Sequence, residues 1–431
     1  MSRSLTNQLA EHVGERVHLA GWVHHQRHLA EISFLLLRDR AGIGQVVVES
    51  PTARATAQVL TAETVVEVSG TVVASAQAPG GFELHDPTIE VVSAPTEPPP
   101  FELRRPVLNA QLPSLLDHAA VALRHPRIRA GFAISAASLR GFRSTLDAMG
   151  FTEIQTPKIV GAATESGANV FGLDYFGRPA YLAQSPQLYK QMMVGVFERV
   201  YETGPVFRAE PHDTARHLAE YVSLDVELGF IRDHRDIEDT LRTVLDGMVT
   251  TIAERAHAAV DVLEITLPVV PDEIPRIDFT EAQHLVEAAT GEQVVGEPDL
   301  APAHERWLGD WARAEHNSDF LFVEGYPMVK RPFYTHPNPD RPEFSNSFDL
   351  LFRGLELVTG GQRLHRHSDY VAVLDQPTQG ALDGYLQAFR YGMPPHGGFA
   401  IGLERWTARV IGVPNVRQAT LFPRDLNRLT P

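Results

Sequence analysis

V-Y-E-T-G-P-V-F-R-A-E-P-H-D-T-A-R-H-L-A-E-Y-V-S-L-D-V-E-L-G-F, residues Val200–Phe230, sets two short apolar-rich runs, Val200–Phe207 and Ser223–Phe230, on either side of a charged loop. Runs of that length predict strands, and the loop opens on F-R-A-E, Phe207–Glu210. Strand-like runs recur at Tyr181–Ala183, Asp319–Val323, Ser347–Phe352 and Gly354–Thr359. Between about Asp236 and Glu315 the pattern is helical, with one Pro-rich break at Leu267–Pro275. Upstream, Ile128, Phe132, Leu139, Phe142, Leu146 and Met149 share one helical face, and Gly150 stands where a C-cap glycine would stop that helix. The expectation is an α+β domain over 124–431: a large mixed or antiparallel sheet flanked by helices, with a helical insertion at about 236–315.

The N-terminal quarter reads differently. Val17–His25, Ser33–Asp39, Gly44–Glu49, Val65–Ala74 and Phe82–Val92 alternate apolar and polar positions, and Thr52–Glu63 between the third and fourth is free of Gly and Pro. Five strands with a helix bridging a partly open barrel predict an OB-fold over residues 1–104. Pro95–Pro106 carries five prolines in twelve positions, which no helix or strand interior tolerates, so a linker is expected there and a hinge over 105–123.

A chain of 431 residues has ample length for two or three domains. It has no cysteine, which excludes disulfides, zinc-thiolate sites and a thiol nucleophile. Met1–Glu15 is polar and mixed in charge, and no long apolar run occurs, so the expected location is cytoplasmic. A formal charge of −16 gives no general affinity for phosphate, so any RNA contact must rest on local patches.

No G-x-x-x-x-G-K-[ST] loop is present, and Gly397–Gly402 does not fit G-x-G-x-x-G. Three other segments stand together in order: G-F-T-E-I-Q-T-P at Gly150–Pro157, F-R-A-E at Phe207–Glu210, and G-L-E-R at Gly402–Arg405. This ordered set resembles motifs 1, 2 and 3 of the class II aminoacyl-tRNA synthetases, and the OB-fold before them resembles the aspartate, asparagine and lysine subgroup. The resemblance implies ATP and Mg²⁺. It places Arg208 between the substrate carboxylate and the α-phosphate, where a planar fork can make two charge-assisted bonds. It puts Tyr221 and Arg405 on the two faces of adenine and Glu210 at the adenine edge. Arg216 and His217 fall near the distal phosphates, with Leu218, Gly402, Leu403 and Glu404 completing the ATP site. Glu356 and Asp349 become metal-facing carboxylates with Thr359 as a further oxygen ligand.

Q-S-P-Q-L-Y-K-Q, Gln184–Gln191, resembles the amino-acid segment of aspartyl-tRNA synthetases. By that likeness Lys190, Arg363 of G-G-Q-R and Gln187 grip the aspartate side chain, and Glu165 in A-T-E-S-G-A-N closes over the ammonium. The argument from charge is that a buried ammonium facing a neutral amide would stay uncompensated, which disfavours asparagine. The tail Leu421–Pro431 is also similar to that family and is expected to add no chemistry. Without a bulky domain between motifs 2 and 3, the chain resembles the archaeal and eukaryotic type.

On the barrel, Phe34 and Gln45 lie eleven residues apart, like the family's pair that contacts the central anticodon base. His24 stands where tRNA-Asp-specific relatives carry tryptophan and non-discriminating ones histidine, and Ala76–Gly81 holds no lysine. The implied enzyme charges tRNA-Asp and tRNA-Asn alike with aspartate and needs an amidotransferase downstream. In the loop Pro211–Arg216, His212 and Thr214 are expected at the acceptor end of the tRNA, and motif 1 implies a homodimer. Rival readings are a discriminating aspartyl enzyme, an asparaginyl enzyme, a catalytically silent RNA-binding paralogue, and amide synthesis on a synthetase-like core.

Overall fold

The structure, a computed structural model, describes residues 2–161 and 169–430. They form two compact units, Met1–His125 and Pro126–Pro431.

In the first unit, β1 (Arg16–His28), β2 (Ser33–Arg38), β3 (Ile43–Val48), β4 (Val65–Ala74) and β5 (Phe82–Ser93) close a barrel in the order β1-β2-β3-β5-β4. Alternate side chains turn inward: Leu19, Val23, Leu37, Val46, Val66, Val68 and Leu84 are all fully buried. The barrel is closed rather than partly open, because Gln45 and Val46 of β3 pair in parallel with Glu83 and Leu84 of β5. Helix α1 (Pro51–Val59) bridges β3 and β4, started by Pro51 and by the Ser50 hydroxyl, which accepts the Ala53 N–H at 3.2 Å. β1 carries a bulge between Val23 and His25, which takes His24 out of the ladder. Within 105–123, where a hinge was expected, Leu112–Asp117 and Ala119–Ala122 are short helices.

The second unit is built on an eight-stranded sheet. Its strands are β6 (Thr152–Glu153), β10 (Arg199–Phe207), β11 (Glu220–Gly229), β12 (Arg276–Asp278), β13 (Phe320–Glu324), β14 (Ser347–Phe352), β15 (Glu356–Gln362) and β16 (His396–Gly402). Their order is β12-β13-β14-β15-β16-β11-β10-β6, antiparallel except for the β12–β13 and β10–β6 pairs at the edges. A separate three-stranded sheet comprises β7 (Ile159–Val160), β8 (Gly172–Tyr175) and β9 (Arg178–Leu182). Helix α2 (Pro126–Ala148) ends before Gly150, whose φ of +79° is open to glycine without a β-carbon clash. Its Ile134, Phe142 and Leu146 pack in one core with the fully buried Ile237, Leu241, Val244, Leu245 and Met248 of α3 (Arg235–Arg255) and with the sheet residues Leu224, Val226, Phe348 and Phe399.

Two expectations change here. The segment 236–315 is helical over Arg235–Arg255, His257–Leu263, Phe279–Thr290 and Pro302–His316, but α3 packs in the central core and Arg276–Asp278 adds an edge strand paired with β13. A three-residue strand directly after a Pro-rich break is too short to leave a period-two pattern. The sequence reading also passed over β16, H-G-G-F-A-I-G, which lies between β11 and β15. Its glycines hide the alternation, yet a β-carbon on Gly398 would collide with the Val226 carbonyl and the Glu227 carboxylate. No helix among the described residues is long and apolar enough to cross a membrane.

Candidate active site

β11 has two faces because side chains alternate along a strand. Val222, Leu224, Val226 and Leu228 face the core, whereas Tyr221, Ser223, Asp225 and Glu227 line the other side. Cross-strand register extends that polar side: Asp225 pairs with Ala400, Ala400 with Thr359, and Thr359 with Asp349. The loop between β10 and β11 rises over this face.

There a cavity of about 410 Å³ is lined by Arg208, Glu210, His212, Arg216, His217, Leu218, Tyr221, Glu356, Thr359, Gly402, Glu404 and Arg405. Twelve residues singled out in the sequence therefore converge on one space. The Arg208 guanidinium lies 5.8 Å from the Tyr221 ring centroid. Arg405 Nη1 donates to the Glu356 carbonyl at 3.0 Å and stands 4.0 Å from its carboxylate, while Thr359 Oγ1 donates to Glu356 Oε1 at 3.2 Å. Gly402 sits beside both residues: a β-carbon there would stand 3.7 Å from Arg405 Cβ and 3.8 Å from the Tyr221 ring.

Leu403, Asp349 and Thr214 lie outside this lining, and Glu404 and His217 within it have further partners. Leu403 is buried in the core and does not line the cavity. Glu404 accepts the Val222 N–H with both oxygens at 3.1 Å, and burial raises its carboxyl to about 7, so it ties β11 to the helix α5 (Leu403–Val410). Asp349 lies behind Thr359 and bonds Arg331 at 3.1 Å; burial outweighs that arginine and lifts its carboxyl to about 6. Thr214 accepts from or donates to His217 Nδ1 at 2.6 Å, and burial followed by Arg405 lowers the His217 imidazole. Glu165 lies outside the described residues.

Two contributors escaped the sequence reading. Glu305, buried on helix α4 (Pro302–His316), accepts the Glu356 N–H at 3.0 Å and pairs with Arg216 at 3.3 Å. It thereby braces both the loop and the start of β15. The C-terminal tail, expected to add nothing, supplies Asp425 and Leu426 to the cavity wall. Ala219 N–H donates to the Arg424 carbonyl at 2.8 Å, and Arg417 joins Asp213 at 2.8 Å to Asp425 at 2.5 Å. A clasp between residues two hundred positions apart leaves no local signal in sequence.

Below the cavity, Lys190 is 1 % exposed. Its Nζ donates to Asp225 Oδ1 at 3.0 Å and to the Phe399 carbonyl at 3.2 Å, and Glu227 lies 3.3 Å away. Arg363 Nε donates to Glu227 Oε1 at 3.0 Å, and Nη2 donates to the Gly398 carbonyl at 3.0 Å and to Gln187 Oε1 at 3.5 Å. Burial opposes the Glu227 charge, yet Arg363 and Lys190 together hold its carboxyl below the usual range. This corrects the charge argument: Lys190 is compensated by two carboxylates before any substrate arrives. The Gln187 amide nitrogen, by contrast, is buried without a hydrogen-bond partner among the described residues.

In the barrel unit, Phe34 is half-buried on the outer face, outside the core cluster, and Gln45 donates to Glu83 at 2.7 Å on the same face. His24 lines a cavity with Gln26, Glu63, Phe101 and Arg104. Burial, then Arg38, lowers its imidazole to about 4, so it is neutral at physiological pH. Arg38 grips Glu63 with two bonds of 2.8 Å, and Arg124 adds a third of 2.8 Å. Among the described residues, the trio of His and carboxylates whose ligand atoms converge is His234, Glu238 and Glu324, outside the cavity described above.

A family model described as "tRNA synthetases class II (D, K and N)" matches residues 112–426, and one described as "OB-fold nucleic acid binding domain" matches 17–92. Proteins named aspartate–tRNA(Asp/Asn) ligase are similar along the whole chain: one from Thermus thermophilus is 47 % identical with 100 % of both chains covered, and one from Deinococcus radiodurans is 46 % identical, covering 100 % of this chain and 99 % of its own. Among solved structures, asparaginyl-tRNA synthetase from Pyrococcus horikoshii complexed with asparaginyl-adenylate superposes with a TM-score of 0.90 at 32 % identity, over 98 % of this chain and 97 % of that one. The aspartyl enzyme from Entamoeba histolytica gives 0.88 at 29 % identity, over 100 % and 93 %.

Proposed function

The chain belongs to the class II tRNA synthetases of the D, K and N group, and from that premise we propose how its own residues activate L-aspartate with ATP and charge both tRNA-Asp and tRNA-Asn. The full-length likeness to aspartate–tRNA(Asp/Asn) ligases supports this activity. The observation that carries the choice of amino acid is that full-length likeness, and the buried Gln187 amide nitrogen, without a partner among the described residues, supplies a donor for a side-chain oxygen of the substrate.

In the first step an aspartate α-carboxylate oxygen bonds to the α-phosphorus and the bond to pyrophosphate breaks. In the second, the terminal ribose hydroxyl of tRNA attacks the aspartyl carbonyl and AMP leaves. Neither step needs a protein nucleophile. Arg208 brings two anions together against their repulsion and meets the charge that grows on the phosphoryl oxygens. Tyr221 and Arg405 hold adenine by its faces, Glu210 meets its edge, and Arg216 and His217 take the distal phosphates.

Oxygen donors suit a hard cation, and Glu356 with Thr359 beside it lines the cavity, so these two would hold Mg²⁺, with Asp349 behind them, where the ion neutralises phosphate charge. On the barrel, Phe34 offers a stacking face and Gln45 an edge contact, and the neutral His24 leaves the anticodon pocket tolerant of both tRNAs. His212 and Thr214 reach the acceptor end. The chain works as a homodimer through motif 1, and an amidotransferase converts its aspartyl-tRNA-Asn. The test is ATP–pyrophosphate exchange with aspartate against asparagine: exchange with aspartate alone supports the reading, and exchange with asparagine alone overturns it.

A further inference from the structure

A second cavity, of about 370 Å³, adjoins the first and shares Arg216, His217, Arg405 and Val416 with it. Its remaining wall brings in Arg306 from α4 and Arg409 from α5. Four arginines line this space and no carboxylate does. Arg405 and Arg409 stand four apart on one helix face, so both guanidinium groups address the same volume. Arg216 is paired with Glu305 and Arg405 is bonded to the Glu356 carbonyl, but among the described residues neither the Arg306 nor the Arg409 side chain forms an ion pair or a hydrogen bond.

Leu355, Ala408 and Val413 supply an apolar lining, in which charge interactions are less screened than in water. The crowding is felt by Arg409, whose guanidinium is pulled down by burial and, against Glu305, by Arg216, Arg306 and Arg353. Repelling cations around a cavity are stabilised by a compact polyanion, and guanidinium forks match phosphate oxygens two at a time.

We propose that this cavity is a docking site for inorganic pyrophosphate released by the adenylate step, next to but separate from the subsite that holds the phosphates within ATP. It rests on the ATP reading of the neighbouring cavity, because only there is pyrophosphate produced. Once the bond to the α-phosphorus breaks, the product moves past Arg216 and Arg405 onto Arg306 and Arg409, clear of the adenylate.

The experiment uses the full chain and the variants Arg306→Met, Arg409→Met and the pair. In aspartate-dependent exchange the KM for pyrophosphate should rise about tenfold in each single variant, as expected for one charge-assisted contact, and further in the double, with the KM for ATP unchanged. Pyrophosphate should also bind the wild type already holding a sulfamoyl analogue of aspartyl-adenylate, and lose that binding in the double variant. Since Arg306 is exposed, its variant keeps the fold even if Arg409→Met does not. An unchanged pyrophosphate KM overturns the proposal. A parallel rise in the KM for ATP would assign the arginines to ATP itself, and a rise in the KM for tRNA alone would assign them to RNA phosphate; either outcome also overturns it. A wild type without aspartate-dependent exchange would instead remove the functional reading.

Discussion

The amino-acid pocket and the arginine-lined cavity beside the ATP site use the same kinds of side chain in opposite proportions. In the pocket, Lys190 and Arg363 face Asp225 and Glu227, so two cations meet two carboxylates out of water. Around the second cavity, Arg216, Arg306, Arg405 and Arg409 have, among the described residues, one close buried acid, Glu305, which is already shared with a backbone amide. The first arrangement is complete without substrate and positions donors such as Gln187. The second is incomplete and awaits negative charge. Substitutions in the pocket should therefore damage the fold, and substitutions at the phosphates should damage catalysis alone.

The largest effect should come from Arg363→Met, which leaves Lys190 alone against the two buried carboxylates of Asp225 and Glu227; loss of one partner of a buried pair costs about 3–5 kcal/mol. Denaturant unfolding should show that loss, and adding Glu227→Gln should restore much of the stability without restoring aspartate activation. If the single variant is as stable as the wild type, the pocket is not a balanced ion cluster and the contrast fails. Arg208→Ala belongs to the opposite class. Its exchange rate should fall by about 10²–10³, as for a lost donor to developing charge, with an unchanged unfolding midpoint.

Glu305→Gln sharpens the boundary between the two regions, because the amide can still accept the Glu356 N–H while the charge on Arg216 is freed. The KM for ATP should change by less than about tenfold, the scale of one partly exposed pair, with kcat retained. A pH-dependent effect concerns Glu238, a buried acid bonded by Arg276 at 2.6 Å. Burial and then Glu324 raise its carboxyl to about 8, so it keeps its proton in the folded chain. The unfolded group loses that proton above the ordinary carboxylate range. Its contribution to stability is accordingly full at low pH and fades as pH rises toward 8. Glu238→Gln should flatten this decline, giving a higher melting temperature than the wild type at pH 8.5 and a similar one at pH 5; equal melting temperatures at both values would refute it.

What the sequence revealed follows the same division. The alternation Tyr221, Ser223, Asp225, Glu227 is a local pattern, and the barrel strands alternate just as regularly, so these strands were readable, and the motifs marked Arg208, Arg216 and Arg405 but not Arg306 or Arg409. The partners that complete the charges were not. Asp225 and Glu227 lay inside a quoted strand, but nothing local says that they face Lys190, thirty-five residues earlier. Glu305 sits in a helix that looked like an insertion, and Asp425 in a tail that looked inert. β16 was lost because its glycines, required by close approach to Val226 and Glu227, carry no hydrophobic signal.

This chain is read as attaching aspartate, not asparagine, to two tRNAs. The most direct measurement is aminoacylation of tRNA-Asp and tRNA-Asn transcripts side by side with each amino acid, for the wild type and for His24→Trp. The account predicts that aspartate charges both transcripts at comparable rates in the wild type, and that the variant keeps tRNA-Asp while losing much of its activity on tRNA-Asn. Charging with asparagine, or a wild type confined to tRNA-Asp, would contradict it.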